Sequence, residues 1–333
     1  MSKLKFGWKA SAEQFGPRVL LDFAVEAEAQ GFDSVWISDH YQPWRHTDGH
    51  APFAMSWLAA AGERTRRVVL GTSVLTPTFR YHPSIVAQAF ATLGDLYPGR
   101  IILGIGTGES MNEVPVTGIE WPDQRERFRR MSEATKLIRR LWTEEEVQFE
   151  GEYYQVRGAT VYDRPQRPVP IYVAATGEVA AKFAGRQADG FICTSGKGME
   201  LYRDKLLPAV REGAEAAGRD YDSIEKTIEV KVAFDHDRSR ALADTRIWAA
   251  LALPAEDKVD VHSPREMEER SKKVIDPERR WLVSTDPDEH VEQIRPYVEL
   301  GFTHLVFHFP GDDQKRSLET YAKGILPRLR NLG

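Results

Sequence analysis

Short apolar runs alternate with amphipathic stretches along the whole chain, and that alternation predicts its architecture. Eight runs read as strands: Leu4–Trp8, Ser34–Ser38, Val68–Val74, Ile101–Ile105, Ile171–Ala175, Gly190–Cys193, Ile228–Phe234 and His304–Phe309. Each is nearly continuously apolar, the pattern of parallel strands covered outside by helices. Between them, apolar residues recur at helical spacing. Val19, Leu20, Phe23, Ala24 and Ala27 fall on one stripe; Phe128, Met131, Ile138, Leu141 and Trp142 fall on another. Helix, glycine and apolar strand follow one another in AEAQGFDSVWIS, in YVELGFTHLVFHF and more loosely in GRQADGFICTS. Gly31 and Gly301 fit the left-handed position that closes a helix.

A βα unit repeated eight times predicts a (β/α)8 TIM barrel. A doubly wound open sheet is the alternative, but it would want fewer strands and a clearer nucleotide fingerprint. Two stretches interrupt the repeat. Residues 145–162 alternate like a hairpin around Gly151, and residues 253–279 are charged, contain no strand, and read as a loop and helix over the top face. The expectation is one barrel domain over residues 1–333 with these two insertions.

Composition narrows the partners more than the fold. The 333 residues are 41% hydrophobic and 29% charged, an ordinary globular balance. A net charge of -5 argues against a nucleic-acid surface. The single cysteine, Cys193, excludes a disulfide framework and a cysteine-based zinc site. No apolar run is long enough to span a bilayer, and MSKLKFGWKA reads as a strand rather than a signal core, so a cytoplasmic location is expected.

The chemistry gathers where strands end. In a parallel barrel the C-terminal edge of the sheet is where ligands bind. The stretch from Gly71 to Asn112 places Ser73, Thr76, Thr107, Glu109 and Asn112 at two such ends. GIGTGE at 104–109 fails the dinucleotide fingerprint, because Glu109 stands at the third glycine position. Its glycines still expose backbone N–H groups that can cradle a phosphate or lie against a flat ring. SDHYQPW brings Asp39 and His40 to the barrel mouth with Trp44 above, and SAEQF brings Glu13. Glu13, His40 and Glu109 thus come from three strand ends, the way barrels assemble acid/base sites. Lys197, on the Gly-flanked TSGKG loop, is a plausible anion contact; with Lys258 and Arg280 it makes a phosphate clamp only if the three converge. No residue spacing suggests a metal site, and no G-x-S-x-G supports a serine hydrolase.

KASAEQF, SDHYQPWRH, GHAPF, GTSVLTPTFRY, VAQAFAT, GTGE, DGFICTSGKG and TDPDE together resemble the coenzyme F420-dependent glucose-6-phosphate dehydrogenases of the bacterial luciferase-like superfamily, nearly end to end. The resemblance implies a 5-deazaflavin in the barrel mouth, held by Asp39, Ser73, Val74, Thr76, Thr107, Gly108, Asn112, Thr176, Gly177, Val179 and Ala180. It implies a non-proline cis peptide at Ser73–Val74, and a sugar 6-phosphate held by Thr194, Lys197, Lys258 and Arg280. Thr176 departs from the family, whose members tend to carry glycine there. The implied reaction passes the sugar's C1 hydride to C5 of the coenzyme, with His40 as base and Glu109 as acid, the reverse with Glu109 or Glu13 as base and His40 as electrostatic support remaining open, and Trp44 shielding the ring. A homodimer through the early barrel helices is expected on the same ground. The rival readings are an F420-dependent dehydrogenase of another alcohol, an FMN-dependent luciferase-like monooxygenase, and a non-catalytic binding barrel.

Overall fold

Residues facing the barrel lumen alternate with residues facing the outer helices, and this alternation sorts the chain into two cores. The computed structural model describes residues 4–258 and 261–332. Its strands are β1 (Lys5–Ala10), β2 (Ser34–Ile37), β3 (Val69–Thr72), β4 (Ile101–Ile105), β5 (Val147–Glu150), β6 (Gln155–Ala159), β7 (Ile171–Ala174), β8 (Gly190–Thr194), β9 (Glu225–Phe234), β10 (Leu282–Ser284) and β11 (His304–His308). Eight of them close on themselves in the order β1-β2-β3-β4-β7-β8-β9-β11. Every pairing around the ring is parallel, and β1 closes it through Lys5 opposite His304 and Gly7 opposite Val306. The TIM barrel read from the eight apolar runs is the fold.

Outward residues such as Phe6, Trp8, Val35, Ile37, Ile228, Val230, Leu305 and Phe307 join the surrounding helices in the main core. Inward residues Trp36, Ile102, Tyr172, Ile192 and Val306 form a separate apolar plug across the lumen. Burying a large apolar side chain is worth about 1.5–3 kcal/mol, so this plug holds the barrel shut as well as filling it. Trp36 fits because β3 offers Gly71, where a Cβ would stand 2.7 Å from the indole.

Below the plug the lumen is polar and closed. Trp36 Nε1 donates to Ser34 Oγ at 2.8 Å, Ser34 Oγ meets His304 Nε2 at 2.6 Å, and His304 Nδ1 meets Glu225 Oε1 at 2.5 Å. Satisfied in this way, buried polar groups cost little.

The hairpin read at residues 145–162 is β5 against β6, antiparallel. The charged stretch 253–279, of which residues 259 and 260 lie outside the described residues, supplies helix Pro264–Ser271. Met267 of that helix packs on Met111, Ala250, Leu253 and Val261, which caps the upper face of the barrel. Two sequence readings need correction. Val19 is 47% exposed, so the buried stripe of helix Pro17–Ala29 is Leu20, Ala24 and Ala27. The seventh barrel strand starts at Glu225 rather than Ile228, because its first residues pair with β8 from Gly190↔Glu225 onward. Gly31 and Gly301 do take positive φ, at 83° and 96°.

Candidate active site

Glu13 follows β1, Asp39 and His40 follow β2, Ser73 to Thr76 follow β3, Thr107 to Asn112 follow β4, and Thr176 to Ala180 follow β7. Every one is therefore delivered to the same rim. Most of them border a cavity of about 570 Å³, while Glu13 lies outside its lining; the volume is within the range of pockets that enclose a small molecule or cofactor. Asp39, Val74, Thr76, Thr107, Gly108, Asn112, Thr176, Gly177, Val179 and Ala180 line it, as do His40 and Glu109. Ser73 stands behind the wall. Its peptide to Val74 is cis, as the resemblance implied, and its carbonyl accepts from Lys9 Nζ at 2.5 Å.

The cavity suits a flat ring with a charged tail. A Cβ on Gly106 would meet Val74 Cγ2 at 2.7 Å, and Gly108 has φ +85°, so both positions require glycine to keep the backbone flat against the cleft. Gly177 opens helix Glu178–Gln187 at the far end, where free N–H groups face the cavity with the polarity an anion prefers. Asp39 is held by Arg80 Nη2 and Tyr81 Oη, both 2.8 Å from Oδ2, while its buried Oδ1 has no protein partner. A buried acceptor left open on a cavity wall fits a hydrogen-bond donor on a bound ring.

Arg80 also meets Glu113 at 3.2 Å, so two carboxylates share one guanidinium. Burial, with Asp39 adding and Arg80 opposing, pushes Glu113 up to about 7. Sequence inspection did not find this support, because Arg80 and Asp39 meet only in the folded barrel.

The acid/base candidates converge. His40 Nδ1 lies 2.6 Å from Glu13 Oε1, and His40 Nε2 lies 3.9 Å from Glu109 Oε2. Burial alone would lower the imidazole pKa, but the two carboxylates outweigh it and hold His40 at about 9. Glu109 is raised, first by desolvation in the cleft and also by Glu13, with His40 opposing. Water in the open cavity reaches 46% of its side chain and limits that effect. Asn112 fixes the geometry: its Oδ1 accepts from the backbone N–H of Tyr41 and Gln42 at 2.8 and 3.0 Å, and its Nδ2 donates to Glu109 at 3.3 Å. Trp44 donates its backbone N–H to Glu13 at 2.9 Å.

The three cations feel one another's charge, and none of them is among the residues lining the cavity. The charge of Arg280 is felt at both Lys197 and Lys258, and burial together with this crowding lowers both lysines, Lys258 to about 8. Arg280 Nη1 donates to the Gly196 carbonyl at 2.5 Å, which pins the loop carrying Lys197; its Nε is buried without a partner. Lys258 lies 5.9 Å from the Trp44 ring centroid and within the field of Glu109. Thr194 Oγ1 accepts from Lys231, a residue the sequence did not single out. Glu229 and Lys231 were legible only as two charges alternating with valines in EVKVAF, a pattern that also describes a solvated edge strand. Among the described residues no cluster of His, Cys, Asp or Glu could hold a metal, and no helix is long and apolar enough to cross a membrane.

Comparison with known proteins gives this geometry a context. The sequence model of the family described as luciferase-like monooxygenase matches residues 4–304. An F420-dependent glucose-6-phosphate dehydrogenase of Intrasporangium calvum is 62% identical over 99% of this chain and 100% of its own length. One from Nakamurella multipartita is 61% identical over 99% of this chain and 97% of its own. Among solved structures, an F420-dependent secondary alcohol dehydrogenase in complex with an F420-acetone adduct superposes with a TM-score of 0.92 at 34% identity, covering 98% of this chain and 99% of that one.

Proposed function

The chain belongs to the luciferase-like monooxygenase family, and within it we propose an F420-dependent glucose-6-phosphate dehydrogenase, in keeping with the names of its relatives. The products are 6-phosphogluconolactone and reduced coenzyme. The observation that carries this reading is the position of Lys258. Its Nζ lies 5.9 Å from the ring centroid of Trp44, whose backbone N–H donates to the same Glu13 that pairs with His40, and its charge adds to those of Arg280 and Lys197, so a dianion held there would sit beside the acid/base centre. A dehydrogenase of an unphosphorylated alcohol has no use for three cations that feel one another's charge, and neither has a monooxygenase that must admit oxygen.

Coenzyme F420 supplies a hydride-accepting deazaflavin carbon. Asp39, Val74, Thr76, Thr107 and Gly108 would hold its ring, and Gly177, Val179 and Ala180 its tail phosphate. Lys197, Lys258, Arg280 and Thr194 would hold the sugar phosphate. Glu109 takes the proton of the C1 hydroxyl as hydride leaves C1. His40, cationic and oriented by Glu13, offsets the negative charge that builds beside it. The reverse assignment suits an imidazole of ordinary pKa. Held at about 9, however, His40 would be unprotonated in about one molecule in a hundred at pH 7, too few for a ready base. Trp44 covers the reacting face, with Lys258 beside it.

The reading includes a homodimer through the early helices, supported by Val19, Phe53, Ile85 and Leu96, which remain 47–55% exposed on or beside them. The experiment that tests the function is turnover of glucose 6-phosphate with F420, against glucose and against FMN as controls.

A further inference from the structure

Above the apolar plug, the lumen carries a row of charges that the reaction as described does not use. Lys9 Nζ lies 3.7 Å from Glu229 Oε2, and Lys231 Nζ lies 3.4 Å from Glu229 Oε1. His308 Nδ1 is 3.6 Å from the same Oε1. Lys9, Lys231 and His308 are buried, and the Glu229 side chain is 15% exposed. The row has two distinct ends. Lys9 sits in the field of Glu13 and Glu109 and donates to the Ser73 carbonyl. Lys231 donates to Thr194 Oγ1 and sits in the field of Arg280, and Lys258 in turn feels Lys231. The row therefore reaches the Ser73 carbonyl behind the cavity wall at one end, and Thr194, at the start of the loop pinned by Arg280, at the other.

A purely structural role explains this row poorly. Buried ion pairs seldom outperform well-packed apolar residues of similar volume. At the opposite end of the lumen Ser34, Trp36, His304 and Glu225 form one continuous hydrogen-bonded chain. Here neither ring nitrogen of His308 makes a hydrogen bond, Nδ1 reaching Glu229 only at 3.6 Å, although its side chain is 4% exposed. Trp248 and Trp281 flank it, their ring centroids 4.6 and 5.1 Å away, and the buried Nε1 of Trp281 is also unpaired. Carboxylate, ammonium and imidazole beside aromatic faces form a set that accepts from and donates to hydroxyl groups.

We propose that Glu229, Lys231 and His308 form the floor of the substrate site and bind the C2 to C4 hydroxyls of a hexose 6-phosphate, which sets the choice of sugar separately from the phosphate clamp. This rests on the proposed function: a substrate with its phosphate on Lys197, Lys258 and Arg280 and its C1 at Glu109 lies across the row. Glu229 accepts from a hydroxyl, and the charge on Lys231 directs a donor to the next.

The test compares kcat/KM for glucose 6-phosphate with that for its 2-deoxy, 3-deoxy and 4-deoxy analogues, in wild type, Glu229→Gln and Lys231→Met. A site built to hydrogen-bond a hydroxyl rejects an analogue lacking it. The wild type should therefore prefer glucose 6-phosphate by at least about tenfold over one or more analogues, and each variant should lose about tenfold of that preference. Inhibition of Glu229→Gln by inorganic phosphate should not weaken, because the clamp is intact. Preferences unchanged for all three analogues in both variants would overturn the proposal, as would phosphate inhibition in Glu229→Gln weakened as much as sugar binding. Absence of glucose 6-phosphate turnover in the wild type would instead defeat the functional reading itself, before any variant is compared.

Discussion

His40 Nδ1 lies 2.6 Å from Glu13 Oε1, so the imidazole is paired with a carboxylate before any substrate arrives. That pairing decides the pH behaviour of the centre. The folded pKa of His40, about 9, is above its ordinary value of 6.5. The stability it contributes is therefore fully present below about 6.5 and is lost as pH rises through about 9. With His40 as the cation and Glu109 as the base, kcat/KM should fall on the alkaline side near 9. Glu13→Gln should move that limb to lower pH, since only Glu109 then opposes the effect of burial. Glu109→Gln should lower kcat by about 10²-fold or more and remove the acidic limb. An acidic limb retained in Glu109→Gln and lost in His40→Ala would reverse the two roles.

The proposed phosphate clamp should have its own pH signature. Lys258 is lowered to about 8, by desolvation first and then by Arg280. As pH rises through that value Lys258 loses its charge, so KM for the sugar phosphate should climb above about pH 8 while coenzyme affinity holds. Lys258→Ala and Arg280→Ala each remove a charge-assisted contact worth about 1.5–3 kcal/mol, so KM should rise about tenfold or more with kcat less affected. Unchanged KM in both variants would place these residues outside substrate recognition.

Arg80 bridges two buried carboxylates at 2.8 and 3.2 Å. Arg80→Met leaves Asp39 and Glu113 facing each other uncompensated, which should cost about 3–5 kcal/mol in denaturant unfolding. It should also weaken coenzyme binding, because Asp39 loses the contact that orients it. Wild-type stability with wild-type coenzyme affinity would contradict this account of the wall.

The expected dimer is checked by sedimentation at micromolar concentration. A dimer should dissociate when Ile85 and Leu96 are replaced by Glu, since a charge buried in an apolar contact is unpaired. A wild-type protein that sediments only as a monomer would reject the interface.

Most of the barrel was legible because its strands are apolar on both faces and its helices carry period-3.6 stripes, two signals that need no tertiary knowledge. Strand β10 was not legible: three residues give no periodicity, and its pairing with the end of β9 exists only in the fold. Val19 was misplaced because a stripe of apolar residues does not say where the helix meets its neighbours and where water begins. The rim residues were legible because strand ends in a barrel share one face, so Glu13, His40 and Glu109 could be grouped from strand positions alone. The raised pKa of His40 was not, since it depends on a 2.6 Å contact between two loops. Lys9, Glu229 and Lys231 escaped notice for a different reason: charges alternating along a strand look the same whether they face solvent or the lumen of a closed barrel.

The central claim is that one cleft holds F420 beside a sugar 6-phosphate. Purified protein mixed with oxidised F420 and glucose 6-phosphate should bleach the visible absorbance of the coenzyme with multiple turnovers, and Lys258→Ala should require much more sugar phosphate to do so. Unphosphorylated glucose should leave the absorbance unchanged over the same period. Equal bleaching by glucose and glucose 6-phosphate, or none with either, would contradict the account.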